Sequence, residues 1–276
     1  MVENTPAHMD IVRSEFAQRV SYWEDVYLSK RNWDADARMR LEITRGFAQK
    51  YVPSEDASVL DVGCGAGIYM AEFSKMGYGP LTGVDITPEM IERAQALWPK
   101  LRPDSEPPTW VVSELENLPS KLSGEEYTLA VCAGLFEYLH DDDLALTALK
   151  KVIKPGGYLI LTIPNSRALT PVQVMSNIKA GWNRLAPEKL RIPSAAAYYR
   201  KRYRLGKFLQ QAENNGYESV EWRGHGHSMF PFLTSVSVIK FLNDQLGNML
   251  DRTGTLPGFK WLQHAGTNYV VVLRAR

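Results

Sequence analysis

Residues 59–67 read VLDVGCGAG, an apolar run broken by one acid and followed by Gly63, Cys64, Gly65, Ala66 and Gly67. An apolar run that enters a glycine turn predicts a strand whose end cradles a nucleotide. Residues without Cβ permit both the tight turn and the close approach of a ligand to the main chain. The dinucleotide fingerprint is G-x-G-x-x-G and delivers a pyrophosphate to a helix N-terminus. Here the glycines alternate, and Ile68 stands where the third fingerprint glycine would be. Asp61, two residues before the first glycine, would repel a pyrophosphate but suits a cationic amino group. Asp85 closes a second apolar run, PLTGVDI, where a carboxylate holds ribose hydroxyls. The ligand so described is an adenosine with a zwitterionic, phosphate-free tail, and S-adenosyl-L-methionine answers that description.

Transfer of a methyl group to a hydroxyl would need a base, whereas an amine need only be neutral. His8 and His264 read as ordinary exposed positions. His140 opens the run HDDD beside the expected pocket, and His225 and His227 follow the sixth predicted strand in RGHGHSMFPF. These three are the candidate bases. No carboxylate or cysteine set accompanies the histidine pair, so no metal site is expected. Cys64 and Cys132 read as free thiols of a reducing compartment.

The elements that must position these residues follow from periodicity. Helical spacing over Met9–Leu28 and Ala37–Val52 predicts two helices before the first strand. Strands are predicted at Ser58–Gly63, Pro80–Ile86, Thr109–Glu114, Tyr127–Gly134, Tyr158–Pro164, Tyr217–Gly224 and Asn268–Arg276. Between them lie helices at Gly67–Gly77, from Thr87 as N-cap with Pro88 in the first turn, at Asp141–Ile153, at Leu205–Gly216 and near Phe232–Leu250. Near-continuous apolar strands alternating with helices imply a parallel sheet covered on both faces. One domain over 1–276 is expected, with a helical cover (1–52), a cofactor-binding half (53–164), an insertion (165–204) and a C-terminal half (205–276).

As a set, VLDVGCGAG, GVDITPEMIERA, LENLP, GLFEYLHDD and LKKVIKPGGYLILTIPN resemble class I S-adenosylmethionine-dependent methyltransferases, from about Ser58 to Asn165. The resemblance is nearest to ubiquinone-biosynthesis-like small-molecule O-methyltransferases. It implies a doubly wound, seven-stranded Rossmann-like α/β sheet of order 3-2-1-4-5-7-6 with the last strand antiparallel. It also implies that Asp61, Gly63, Cys64 and Gly65 line the methionine end, and that Asp85 holds the ribose with Ile86 against the adenine. Glu114 and Leu115 would lie at the adenine amino group, and Ala133 and Gly134 would face the sulfonium. Two departures stand out: Thr128 where an Asp is common, and Glu137-Tyr138 where many members have Glu-His. No histidine base is therefore carried over at Tyr138.

The 276 residues are 45% apolar and 23% charged with a net charge of +1, which gives no chain-wide field toward nucleic acid. The charge is uneven: Lys179–Lys207 holds nine Lys or Arg against the single acid Glu188. That stretch, with Tyr199 and Tyr203, reads either as a solvated face or as a wall meeting an anionic substrate. In relatives, N-terminal helices and the insertion after strand five cover the acceptor, which brings in Trp23, Tyr27 and Tyr138. The expectation is a methyltransferase that forms S-adenosyl-L-homocysteine while methylating a small molecule at a hydroxyl oxygen. Alternatives are N- or C-methylation and a non-catalytic cofactor-binding module; a nicotinamide-dependent oxidoreductase would need the glycine that Ile68 replaces. The N-terminus lacks a signal layout and no long apolar run occurs, so a cytoplasmic protein without stable membrane insertion is expected, with a homodimer left open.

Overall fold

The apolar runs become strands because each is covered from two sides. In the computed structural model, alternate residues of one strand enter different cores: Val59, Leu129, Val131 and Ile160 pack with Ile43, Met70 and Phe73. Their neighbours Leu60, Ala130, Cys132 and Leu161 pack with Leu146, Leu149 and Phe208. The structure describes residues 6–22, 25, 35–53, 57–122, 124–169, 174, 178–179, 181–182, 187, 200–227 and 237–276.

Seven strands form one sheet in the order β3-β2-β1-β4-β5-β7-β6, as the resemblance implied. They are β1 (Val59–Val62), β2 (Leu81–Asp85), β3 (Thr109–Val112), β4 (Tyr127–Cys132), β5 (Ile153–Pro164), β6 (Tyr217–His225) and β7 (Asn268–Ala275). β7 is antiparallel to both β5 and β6, so the carboxyl ends of the other strands share one edge. That edge is where ligands bind in a doubly wound sheet.

The described helices are α1 (Pro6–Gln18), α2 (Ala35–Tyr51), α3 (Ile68–Lys75), α4 (Pro88–Leu101), α5 (Leu118–Lys121), α6 (Asp142–Lys150), α7 (Leu205–Asn214) and α8 (Ser237–Thr253). Thr87 is the N-cap of α4 with Pro88 in its first turn, as read from the sequence. Asp141 caps α6 by accepting the N–H groups of Asp143 and Leu144 at 2.9 and 3.0 Å. One boundary differs by half a strand. β5 starts at Ile153, ahead of Tyr158, because Ile153 already pairs with Tyr127, and the register then shifts past Pro155-Gly156-Gly157. Short 3-10 turns at Leu115–Asn117, Phe136–Tyr138 and Lys260–His264 lacked the periodicity that would have announced them.

The α7 side of the sheet is keyed by Phe208, fully buried and edge-on to both Phe136 (5.8 Å) and Tyr203 (5.4 Å). Phe136 opens the turn that carries Glu137 and Tyr138 to the ligand edge, so this aromatic contact joins core packing to the site. Phe208→Ala is expected to lower stability by about 3–5 kcal/mol, measured by urea unfolding. A loss below about 1 kcal/mol would mean that the cluster does not hold the turn.

Candidate cofactor and acceptor site

The glycine turn leaves β1 with Gly63, Gly65 and Gly67 all at positive φ (76°, 51° and 80°). Side chains with a Cβ rarely adopt that region, so the alternation of glycines encodes the path of the chain. The turn is tied to β2 by the N–H groups of Gly63 and Cys64, which both donate to the Val84 carbonyl at 2.8 and 3.0 Å. Asp85 completes the tie: Oδ2 accepts Gly65 N–H and Oδ1 accepts Thr87 N–H, each at 2.9 Å. An ionised carboxylate has about four acceptor sites, so each oxygen keeps capacity for a ribose hydroxyl. Burial pushes the Asp85 carboxyl above its usual range, although the N–H groups of Thr87 and Gly65 pull it back.

Two adjoining cavities open along this edge. The first is lined by Val62, Gly63, Val84, Asp85, Ile86, Ser113, Glu114, Leu115, Gly134 and Tyr138, among others. The second is lined by Asp61, Gly63, Cys64, Gly65, Ile68, Tyr69, Asp85, Ala133, Gly134, Glu137 and Tyr138, with Arg40 and Arg200. All ten positions named as cofactor-binding thus lie on one or the other. The first cavity has the apolar floor and the Glu114–Leu115 rim expected for an adenine; the second has the acid and the turn expected for an amino-acid tail.

Asp61 gives the sharpest test of that fit. It is 1% exposed, and its Oδ2 has no hydrogen-bond partner among the described residues. Burial, with a smaller contribution from the Asp85 charge, raises its pKa to about 8. A buried carboxylate left without a partner on a cavity wall is stable only when protonated or when a cation meets it. A ligand ammonium would do so. The thiols beside it are inert: burial and the Asp85 charge push Cys64 well up, and burial and the Asp61 charge do the same for Cys132.

The acceptor side departs from the sequence expectations. None of the three candidate bases lines either cavity. His140 is exposed, ahead of α6. His227 is buried, with Nδ1 bonded to Asp251 and Nε2 2.6 Å from the Leu262 carbonyl. Burial alone would lower its pKa, but Asp251 and that carbonyl outweigh burial and hold it above the usual value. Both ring nitrogens are committed, so this ring has no lone pair to offer a substrate. His225 is fully buried at the end of β6, with Nδ1 2.7 Å from Asp36 Oδ1. The end of β6 lies on the ligand edge as expected, but three strand spacings, about 14 Å, separate it from β4 and Gly134.

Tyr138 does face both cavities, edge-on to Phe16 at 5.2 Å and beneath the Arg200 guanidinium at 5.4 Å. Tyr203, expected to face the acceptor, is turned into the core. Its hydroxyl reaches the Phe136 carbonyl (2.8 Å) and Asp142 Oδ1 (3.0 Å). Trp23, Tyr27 and Tyr199 lie outside the described residues.

Three features escaped the sequence. Helix α1 was expected over the acceptor, yet Met9, Val12 and Phe16 wall the first cavity, and Arg13 reaches Glu114 at 3.4 Å. Arg40 of α2 lies over Gly134, whose Cβ, if it had one, would meet Nη1 at 2.9 Å. Arg200 pairs with Glu137, a 7% exposed carboxylate on the cavity wall. No local pattern marks Arg40 as a site residue, and Arg200 is one of nine cations in the basic stretch 179–207, among which only the tertiary arrangement singles it out.

Residues 60–161 match the family described as a methyltransferase domain. Over 145 residues the chain is 28% identical to the ubiquinone biosynthesis O-methyltransferase of Xanthomonas oryzae pv. oryzae, covering 50% of this chain and 58% of that protein. The match therefore spans little more than half the length of that curated relative. Among solved structures, magnesium protoporphyrin IX methyltransferase from Synechocystis PCC 6803 with bound S-adenosylhomocysteine is similar at TM-score 0.62. It is 14% identical and covers 97% of this chain and 99% of its own. The [4+2]-cyclase SpnF is similar at TM-score 0.63 and 17% identity, covering 96% and 95%. At these identities the structural likenesses concern the fold, and the cyclase illustrates that one fold serves more than one reaction.

The Asp61 proton makes a prediction about stability. In the unfolded chain the carboxyl ionises near its ordinary value of about 3.9, whereas in the fold it ionises at about 8. Between those values the native state holds a proton that the unfolded state has released, so stability falls as pH rises through that window. Relative to Asp61→Asn, the wild-type chain should lose up to ~1.4 kcal/mol per pH unit there and run parallel to it outside. Urea melts at a series of pH values measure this, and parallel curves throughout would remove the buried-acid assignment.

Proposed function

We propose that this chain, with its methyltransferase domain over residues 60–161, binds S-adenosyl-L-methionine and methylates a small-molecule acceptor, leaving S-adenosyl-L-homocysteine. The observation that carries the proposal is the pairing of two buried carboxylates on one glycine turn. Asp85 has acceptor capacity left for a ribose, and Asp61 Oδ2 is bare beside the space for an amino group. A pyrophosphate would offer Asp61 no cation to pair with, and Ile68 fills the position of the third fingerprint glycine. Arg40, on the same cavity, complements the carboxylate of an amino-acid tail.

When bound, the cofactor supplies a methyl group on an already activated sulfonium, so the protein's task is alignment and exclusion of water. Helix α1 and Tyr138 shut the nucleoside side from solvent, while Gly134 is held by its N–H donating to Thr162 Oγ1 at 2.7 Å. We assign the acceptor side to Glu137, Tyr138 and Arg200. Arg200 offers its charge to an anionic acceptor, and Glu137 accepts the proton of an acceptor hydroxyl held beside Gly134. This reading, methylation at oxygen, is supported by a carboxylate on the cavity wall where no histidine is available. It also accords with the O-methyltransferase named among the relatives. An amine acceptor would not need that carboxylate as base.

Calorimetric titration with S-adenosylmethionine, S-adenosylhomocysteine and NAD should give binding of the first two only. Asp85→Ala should weaken both by at least about tenfold, through loss of charge-assisted hydrogen bonds. Binding of NAD alone would overturn the cofactor assignment. Once an acceptor is found, Glu137→Gln should lower kcat by about 10²–10⁴ with cofactor affinity within about twofold. An unchanged kcat would return the acceptor atom to nitrogen or carbon.

A further inference from the structure

Among the described residues, eight of the twelve most exposed large apolar side chains lie in two short segments: Leu169, Val174, Ile178 and Trp182, and Met249, Leu256, Phe259 and Trp261. Single exposed apolar residues are ordinary; a concentration of them marks an interaction surface. Leu169 (68% exposed) joins the two segments, because its N–H donates to the Ala265 carbonyl at 3.0 Å, one residue beyond the 3-10 turn Lys260–His264. Asn165 reinforces the seam by donating to the carbonyls of His264 and Gly266 at 2.9 and 2.8 Å. In the other segment, residues 174, 178 and 182 are each helical. All three are exposed, at 43%, 67% and 52%.

The charges on this surface have one sign. Exposed Arg167, Arg252 and Lys260 flank the apolar tips. From residue 245 to 267 the one acid is Asp251, which is buried against His227. Protruding Trp, Phe and Leu beside Lys and Arg, whose stems lie along apolar surface while the charges stay in water, is the chemistry of a bilayer interface.

We infer that the face formed by Leu169, Leu256, Phe259 and Trp261 docks on the surface of an anionic lipid bilayer. The Leu256, Phe259 and Trp261 side chains enter the headgroup region, and Arg167, Arg252 and Lys260 meet lipid phosphates. No described helix is long and apolar enough to cross a membrane, so the contact is peripheral. A second copy of the chain is a poorer occupant. A two-fold interface sets a patch against itself and would bring this basic rim against its own like. The inference stands apart from the cofactor reading, since binding is measured without any cofactor.

The test is flotation of the full chain with vesicles of phosphatidylcholine alone and with vesicles in which a third of the lipid is phosphatidylglycerol. The chain should float with the anionic vesicles, more weakly as salt rises, and hardly at all with the neutral ones. The double variant Phe259→Ser, Trp261→Ser should lose at least about tenfold in partitioning. Lys260→Glu, which leaves every apolar contact in place, should lose about fivefold or more. Circular dichroism and melting temperature check that both variants fold. Absence of flotation with anionic vesicles would overturn the inference, as would equal flotation with both vesicle types. So would a concentration-dependent dimer in sedimentation that the double variant abolishes, since the face would then belong to a second copy.

Discussion

The carboxylate of Asp85 holds two turns at once, accepting Gly65 N–H from the loop after β1 and Thr87 N–H from the cap of α4. Without an acceptor at that point, two backbone donors would be left facing a largely apolar wall, at a cost of about 1–3 kcal/mol each. With it, the glycine turn keeps its left-handed path and stays open for a ligand to approach the main chain. The same carboxylate is thus structural and ligand-facing, and the two roles do not compete because each oxygen has more than one lone pair. Asp61 differs in kind. Its bare oxygen contributes nothing to the fold and disfavours the ionised state, so its presence makes physical sense only through what it would meet.

These two acids also explain the division of the site. The ten positions read as cofactor-binding lie at or just beyond the ends of β1, β2, β3 and β4, whose hydrogen-bonded register fixes them. The side proposed for the acceptor is anchored to a strap. Residues 200–203 are stitched to the segment 136–142 by Lys201 N–H to the Glu137 carbonyl (2.7 Å), by Lys201 Nζ to Asp142 (2.9 Å) and by the Tyr203 hydroxyl. Tyr203 is in turn tied to β5 through the Pro164 carbonyl. The insertion thereby returns to the sheet beside the cavity and delivers Arg200 to Glu137. A charged strap of this kind can vary in residue type without disturbing the sheet, so the acceptor can change while the cofactor pocket does not.

How much of this was legible in the sequence follows from the range of the interactions involved. The strand positions, the glycine turn and the roles open to Asp61 and Asp85 rest on contiguous patterns: apolar runs, alternate glycines and an acid at a strand end; the strand order came from the resemblance that those motifs carry. Tyr138 was legible by position in its turn. Arg40 was not, because it reaches the site from an element distant in sequence, and Arg200 was legible only as one of the cations of the stretch 179–207. The histidines misled for a related reason. The rule that strand ends face the ligand was correct for β6, but the lateral distance from β4 depends on strand order, and β7 lies between β5 and β6. The pairing of His227 with Asp251 and of His225 with Asp36 spans 24 and 189 residues, which no local pattern encodes.

Those two histidines then have a physical role that the search for a base obscured. Asp36 sits in the first turn of α2, one helical turn before Arg40, and is held by His225 Nδ1 and by the Asn268 amide at 3.0 Å. The far edge of the sheet thus fixes the N-terminal end of α2, and α2 carries Arg40 over Gly134. His227, locked between Asp251 of α8 and the Leu262 carbonyl, fixes the other side of the same corner. A hydrogen-bonded contact at a helix start acts here as a positional device: it sets where a cation one turn along meets the cavity. The distance that removes His225 from direct proton transfer is what lets it serve as an anchor, since an anchor works best outside the volume that the ligand must fill.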